Sequence, residues 1–410
     1  MKIIGSRQLV GRLTLFAALA SFFALSQAFR TLPSIILPAL ADEFDASPAA
    51  LAKIGMIFHI SFALLQLPCG IALDRFALRS VFTLALTIVV LGALVSAYAG
   101  SIEELYAGQL LLGAGCAPAL VGAMVQIART EPPQSFPFLI GMVMSVGSVG
   151  ILATSAPFAW LVSVCSWSAT FFVLGSATVV VLILSTAILP ACNANQRPNA
   201  LSQAKGSRRL LREPALWGLL TVAFVSYSSV LTIRALWIVP LFRDRYELSL
   251  NATGGIAFVF SLAIAFSPMF MGWIARRGAN LNVAVLTAGI AIAASSALLG
   301  AQLPLGMAAD IALVLLLGLM SAINIQIYSI AKSTTIRSGE GRLLSLVNLA
   351  TFAGIAFAQW GSGVVGDAAL SAGMNYANVI CLAIASFCLI GVSIFAFLPK
   401  LRNETNGPKN

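Results

Sequence analysis

Charge is what this sequence has least of. Only 9% of its 410 residues are Asp, Glu, Lys or Arg, where a soluble globular chain carries roughly 25%. So few charges cannot solvate the surface of a water-soluble domain, and that class is excluded. Histidine occurs once, as His59, and the six cysteines show no metal-ligand spacing. They read as small apolar core residues with free thiols. No phosphate-binding loop and no catalytic arrangement of nucleophile, histidine and acid is present, so neither an enzyme nor a cofactor is expected.

What the chain has in abundance is apolar length. It is 59% hydrophobic with a mean hydropathy of +0.96. A membrane helix needs about 20 mostly apolar residues. Twelve such runs are legible, near 13–37, 52–73, 80–99, 105–128, 138–162, 169–190, 215–241, 253–275, 282–302, 308–331, 343–366 and 377–399. Helices are expected because hydrocarbon offers no partner for open backbone groups, and the runs are too long for barrel strands. The first run exceeds a signal-peptide core and lacks a small-residue cleavage site after it, so it reads as a retained span.

The net charge of +10 suggests nucleic acid until the positions are considered. Basic residues gather on alternate loops: Lys2, Arg7 and Arg12, then Arg75 and Arg79, Arg129, Arg197 to Arg212, Arg276 and Arg277, Lys332 to Arg342, and Lys400 to Lys409. The opposite loops hold Asp42, Glu43, Asp45, Glu103, Glu104, Asp310 and Asp367. The positive-inside rule then places both termini in the cytoplasm, and a multi-pass protein of a bacterial inner membrane is expected. Lipid is an expected partner and nucleic acid is not.

Two cations break the apolar runs. Arg30 lies in the first and Arg234 in the seventh, both several residues short of the outer end. Lys53 and Asp310 fall in the first residues of the second and tenth runs and are read with the loops. Arg30 and Arg234 are then the only Lys or Arg placed within spans, and no carboxylate is placed between the ends of one. An arginine at a membrane helix centre costs about 2.5–3.5 kcal/mol on insertion scales and about 10–17 in simulations of isolated helices. A polar cavity holding an anion lowers that cost, and one cation per half suggests a cavity between two related bundles. Gln27, His59, Gln126, Tyr227, Asn324, Tyr328 and Asn348 are the polar span residues assigned with them to the substrate. The same side chains serve equally well to hold helices together, and His59 reads either as a satisfied helix histidine or as a titrating cavity group.

The most specific motif is LPCGIALDRFALRS over 67–80. Its Gly70, Asp74, Arg75 and Arg79 fit the G-x-x-x-D-R-x-x-x-R loop between the second and third helices of the major facilitator superfamily. With twelve spans and the polar, basic stretch at 191–213, nearly the whole chain resembles that family. The resemblance implies an all-α membrane fold of twelve transmembrane helices in two pseudo-symmetric six-helix bundles. Their expected limits are 1–190 and 214–410, with 191–213 as cytoplasmic linker. It also implies a midplane site, alternating access and a cytoplasmic latch at Gly70, Asp74, Arg75 and Arg79. Gly70 would allow close helix approach, and the two arginines would bind helix C-termini. Gln109 stands where many proton-driven members have arginine, which leaves proton coupling open. The arginine pair resembles the placement in the family's organophosphate exchangers.

The expected function is transport of a small anionic solute, a carboxylate or phosphate ester, by a monomer coupled to a proton or counter-anion. The alternatives are a polyspecific exporter of amphipathic compounds, marked by a membrane carboxylate, and a transporter-like receptor that binds without turnover.

Overall fold

A computed structural model describes residues 6–131, 136–189, 214–276, 280–332 and 340–399, and every regular element among them is helical. The first span is α1 (Ser6–Thr31) followed by α2 (Pro33–Phe44), and the second is α3 (Pro48–Arg75). The third is α4 (Leu78–Ala97), the fourth α5 (Ile102–Cys116) with α6 (Pro118–Thr130), and the fifth α7 (Phe136–Ala153) with α8 (Ala156–Val164). The sixth is α9 (Trp167–Ile188). The seventh runs through α10 (Pro214–Thr232), a π-turn (Ile233–Trp237) and α11 (Ile238–Tyr246). Then come α12 (Leu250–Arg276), α13 (Leu281–Gly300), α14 (Met307–Met320) with α15 (Ile323–Lys332), α16 (Glu340–Ser371) and α17 (Tyr376–Phe397). Eleven spans are long and apolar enough to cross a membrane, and the tenth is met by the shorter α14 continued in α15. The architecture is the expected all-α one of twelve membrane helices. The linker assigned to 191–213 lies outside the described residues.

The chain divides into two compact units, Met1–Asp45 with Ile57–Ala200 and Ala46–Met56 with Leu201–Asn410. In the first, span one packs on five and six, and span three on four and six. In the second, span seven packs on eleven and twelve, and span nine on ten and twelve. The partners are the same after adding six, which is the signature of a repeated bundle. Two glycines set the closest crossings. A Cβ at Gly150 would fall on the Ala24 carbonyl of span one, and one at Gly354 on the Phe224 carbonyl of span seven. Small residues at such points let membrane helices approach backbone to backbone.

Spans one, four, seven and ten are all interrupted, as is span five. Proline accounts for two breaks. Pro33 and Pro118 lack the N–H that would continue the helix, and each opens a new one at its first position. Irregular backbone at membrane depth is tolerated only where protein or a polar cavity satisfies it, and here neighbouring spans do so. Gln66 of span two donates to the Ala117 carbonyl at the break in span four (3.3 Å). Ser267 of span eight both donates to the Leu319 carbonyl (2.6 Å) and accepts from the Ala322 N–H (2.7 Å), bridging the break in span ten. At the break in span one, Thr31 and Thr154 share a hydroxyl–hydroxyl bond of 2.6 Å, and Thr154 stands at the break in span five.

The first turns of α3 belong to the second unit. Asp367 of α16 accepts the Ser47 hydroxyl (3.0 Å) and the Ala49 N–H (2.8 Å), placing a carboxylate on the positive end of the helix dipole. Ser47 also caps its own helix by accepting from the Ala50 N–H (3.3 Å). The outward faces of spans three, six and twelve carry exposed Leu84, Leu91, Val180, Ile183, Leu389 and Ile390. Such apolar surface suits lipid rather than water.

Candidate functional site

The first unit holds Arg30 two residues before the break at Leu32, and the residue is 5% exposed. Its Nη1 donates to Gln27 Oε1 at 2.8 Å, one turn back on α1. Its Cζ lies 4.8 Å from the centre of the Phe62 ring on α3, within cation–π range. His59, one turn before Phe62, is fully buried with its ring 5.2 Å from that of Phe58. The sequence-assigned Arg30 and Gln27 are therefore in direct contact. Phe62 completes the cluster, and its type and position gave no polar signal to find it by. Gln126 is buried on α6, beyond the break in span four.

The second unit holds Arg234 inside the π-turn, fully buried. Wide turns of this kind occur mostly as single insertions in α-helices, often at functional sites. Arg234 Nε donates to Ser261 Oγ of α12 at 2.8 Å. At the end of the same turn, Trp237 Nε1 donates to Ser362 Oγ of α16, also at 2.8 Å. Span one is thus stitched to span five beside Arg30, and span seven to span eleven beside Arg234. Sequence reasoning missed Ser261 and Ser362, because lone serines in apolar runs are common packing residues. Tyr227, Asn324 and Asn348 are half-buried on α10, α15 and α16. The side chain of Tyr328 lies outside the described set.

The spans that carry the two arginines have equal length. Arg12–Phe44 and Pro214–Tyr246 each run 33 residues, with Arg30 and Arg234 at positions 19 and 21.

Two expectations from the charge pattern need correction. The seventh helix continues to Tyr246 and takes Arg243 and Arg245 with it, so Arg30 and Arg234 are not the only basic residues in spanning helices. Asp310, assigned to an outer loop, sits in the first turn of α14 and is only 7% exposed. The chain turns at Gly306 (φ 81°) and swings that first turn inward. Arg245 Nη1 meets Asp310 Oδ2 at 2.5 Å, and the Tyr246 hydroxyl donates to the same oxygen at 2.8 Å. Arg245 Nη2 donates to the Leu299 carbonyl, and to Asn378 Oδ1 at 2.6 Å. This clasp joins the ends of spans seven, nine, ten and twelve.

Of the loop residues, Arg75 and Arg79 are exposed, and the side chain of Asp74 lies outside the described set. Arg129 donates to the Leu73 carbonyl in the last turn of α3 (3.1 Å). A Cβ at Gly70 would meet no heavy atom within 4 Å, so no close helix approach among the described residues accounts for that glycine.

Comparison with known proteins agrees with this fold. The family model described as Major Facilitator Superfamily matches residues 18–359. The uncharacterized transporter YybO of Bacillus subtilis (strain 168) is 23% identical over 254 residues, 58% of this chain and 58% of its own. The putative multidrug resistance protein MdtD of Escherichia coli O157:H7 (strain EC4115 / EHEC) is 25% identical over 249 residues, 55% of this chain and 52% of its own. The chain thus spans little more than half the length of these curated relatives. Among solved structures, an inward-facing, unoccupied bacterial homologue of the human lysosomal transporter Spinster matches with a TM-score of 0.75 at 16% identity, covering 94% of this chain and 96% of its own. The D-xylose-proton symporter matches with a TM-score of 0.74 at 13% identity, covering 95% and 98%.

Proposed function

Because the chain belongs to the major facilitator superfamily, we propose that it is a secondary active transporter for a small anionic metabolite, with Arg30 and Arg234 holding the anionic group. The solute is an organic carboxylate or a phosphate ester, moved by alternating access. The observation that carries this reading is the burial of two guanidinium groups, one in each unit, each at an interruption of its span. Neutral Gln27 and Ser261 are among their partners. An anion that meets both gains charge-assisted hydrogen bonds, each worth about 1.5–3 kcal/mol net.

Binding of a panel of carboxylates and phosphate esters, beside neutral analogues, tests it. Arg30→Gln and Arg234→Gln are each expected to weaken the anion by about tenfold or more, a loss of roughly 1.4 kcal/mol or above. Lysine keeps the charge without the planar fork, so both lysine variants fall between wild type and glutamine. The two sites share one ligand and combine non-additively. Wild-type affinity in both folded glutamine variants ends the proposal.

A second reading, export of amphipathic compounds, gains support from the name of the relative MdtD and from the buried carboxylate of Asp310. It ranks second because that carboxylate is committed to Arg245. Unchanged efflux of amphipathic cations in the arginine variants, with no anion binding by wild type, would favour it. We further propose that the protein works as a monomer in the bacterial inner membrane with both termini cytoplasmic. Reporter fusions after Asn195 and Asn410 then read cytoplasmic and one after Asp45 external.

A further inference from the structure

The eleventh span carries a polar side chain with both ends open. Gln359 of α16 is fully buried, and among the described residues neither its Oε1 nor its Nε2 has a hydrogen-bond partner. Gln326 offers a contrast: its Oε1 is also open, but its Nε2 is bound to the Met271 carbonyl (3.0 Å). An amide removed from water without compensation is costly, and an apolar residue of the same size would fill the place at less cost.

The amide is closely fitted nonetheless. It lies against the backbone of Gly55, where a Cβ would come within 2.8 Å of Oε1, 2.9 Å of Cδ and 3.0 Å of Nε2. The Gln359 carbonyl accepts the Ser362 hydroxyl at 2.8 Å, and Ser362 Oγ accepts from Trp237, which closes the π-turn of Arg234. The open amide thus sits one helical turn from the side chain that anchors the arginine's own turn.

We propose that Gln359 reads the substrate, hydrogen-bonding a hydroxyl or carboxamide that the solute carries beside its anionic group. An amide presents one acceptor and one donor face, and its complement is a group that both donates and accepts. The substrate class narrows to hydroxylated or amide-bearing anions, as against plain alkyl carboxylates and phosphates. This rests on the reading of Arg234 as an anion-binding residue.

The test uses the purified full chain and matched probes: propionate with lactate, succinate with malate, and propyl phosphate with glycerol 3-phosphate, plus neutral glycerol and xylitol. Wild type is expected to prefer at least one hydroxylated anion by about tenfold or more, since a site built for a hydroxyl rejects the analogue that lacks it. Gln359→Leu is expected to erase that preference and to leave the plain anion within about twofold. It is also expected to raise the melting temperature of the empty protein, because an open buried amide is removed. A Gln359→Leu protein that keeps the preference, or that melts lower than wild type, overturns the proposal and assigns the amide to helix packing. Equal binding of both members of every pair by wild type overturns it too, while the arginine reading stands. Should wild type bind the neutral polyols as well as the hydroxylated anions, and Gln359→Leu lose both, the arginine reading falls and Gln359 stands. If no probe binds wild type, both fall.

Discussion

Removing the Asp310 carboxylate is expected to destabilise the protein far more than its place at a helix end suggests. The side chains of Asp310 and Arg245 are each 10% exposed, so solvent screens the pair little. Asp310→Leu strands a buried guanidinium and leaves the Tyr246 hydroxyl without its acceptor. Breaking a buried pair from one side costs about 3–5 kcal/mol. Here the lower end applies, since Arg245 keeps the Leu299 carbonyl and Asn378. Asp310→Asn retains an acceptor and costs less, about 2 kcal/mol. Arg245→Met in the Asp310→Leu background removes the stranded charge, so the double variant is expected to recover about 1–3 kcal/mol relative to the sum of the singles. The assay is denaturant unfolding in mixed micelles followed by fluorescence of the six tryptophans, run in both directions to establish reversibility. A cost below about 1 kcal/mol for Asp310→Leu, or additivity within about 0.5 kcal/mol, would show that the clasp contributes nothing as a pair.

Three other outcomes are expected. Thr31→Val and Thr154→Val each lower stability by about 1 kcal/mol, and together by less than twice that, because they share one hydrogen bond; full additivity in the same assay would refute the link. Asp74→Asn slows uptake more than it weakens solute binding, as a latch residue should; a large loss of affinity at an unchanged rate would count against that role. His59→Gln removes the chain's single imidazole and, if His59 is the group that couples uptake to protons, flattens the pH dependence of uptake; a profile that survives intact excludes it from that role.

Much of the fold was legible because the bilayer imposes a strong and simple rule. Apolar length gave the span count. The proline-driven breaks at Pro33 and Pro118 are visible in the sequence, since a residue without an N–H cannot continue a helix. The π-turn at Arg234 and the break at Ser321 have no such marker, because they come from packing against other spans. Arg30 and Arg234 stood out as rare cations. Ser261 did not, since its meaning depends on a partner 27 residues away. Asp310 was misplaced for the same reason: local charge said loop, while its partner Arg245 lies 65 residues earlier. Gln359 was visible as a span amide, but only the packing shows that both its ends are open.

The cap that Asp367 places on α3 has a consequence for how the chain is made. Ser47 leaves the ribosome 320 residues before its partner. At about 5–20 residues per second, that is a wait of roughly 16–64 s. Throughout it the first turns of α3 lack the helix against which they finally pack, with Pro48, Ala52 and Gly55 uncovered by Gly363 and Gln359. Truncation before α16 should therefore leave this stretch open to cysteine labelling at an introduced Ala52→Cys, and completion of the chain should close it.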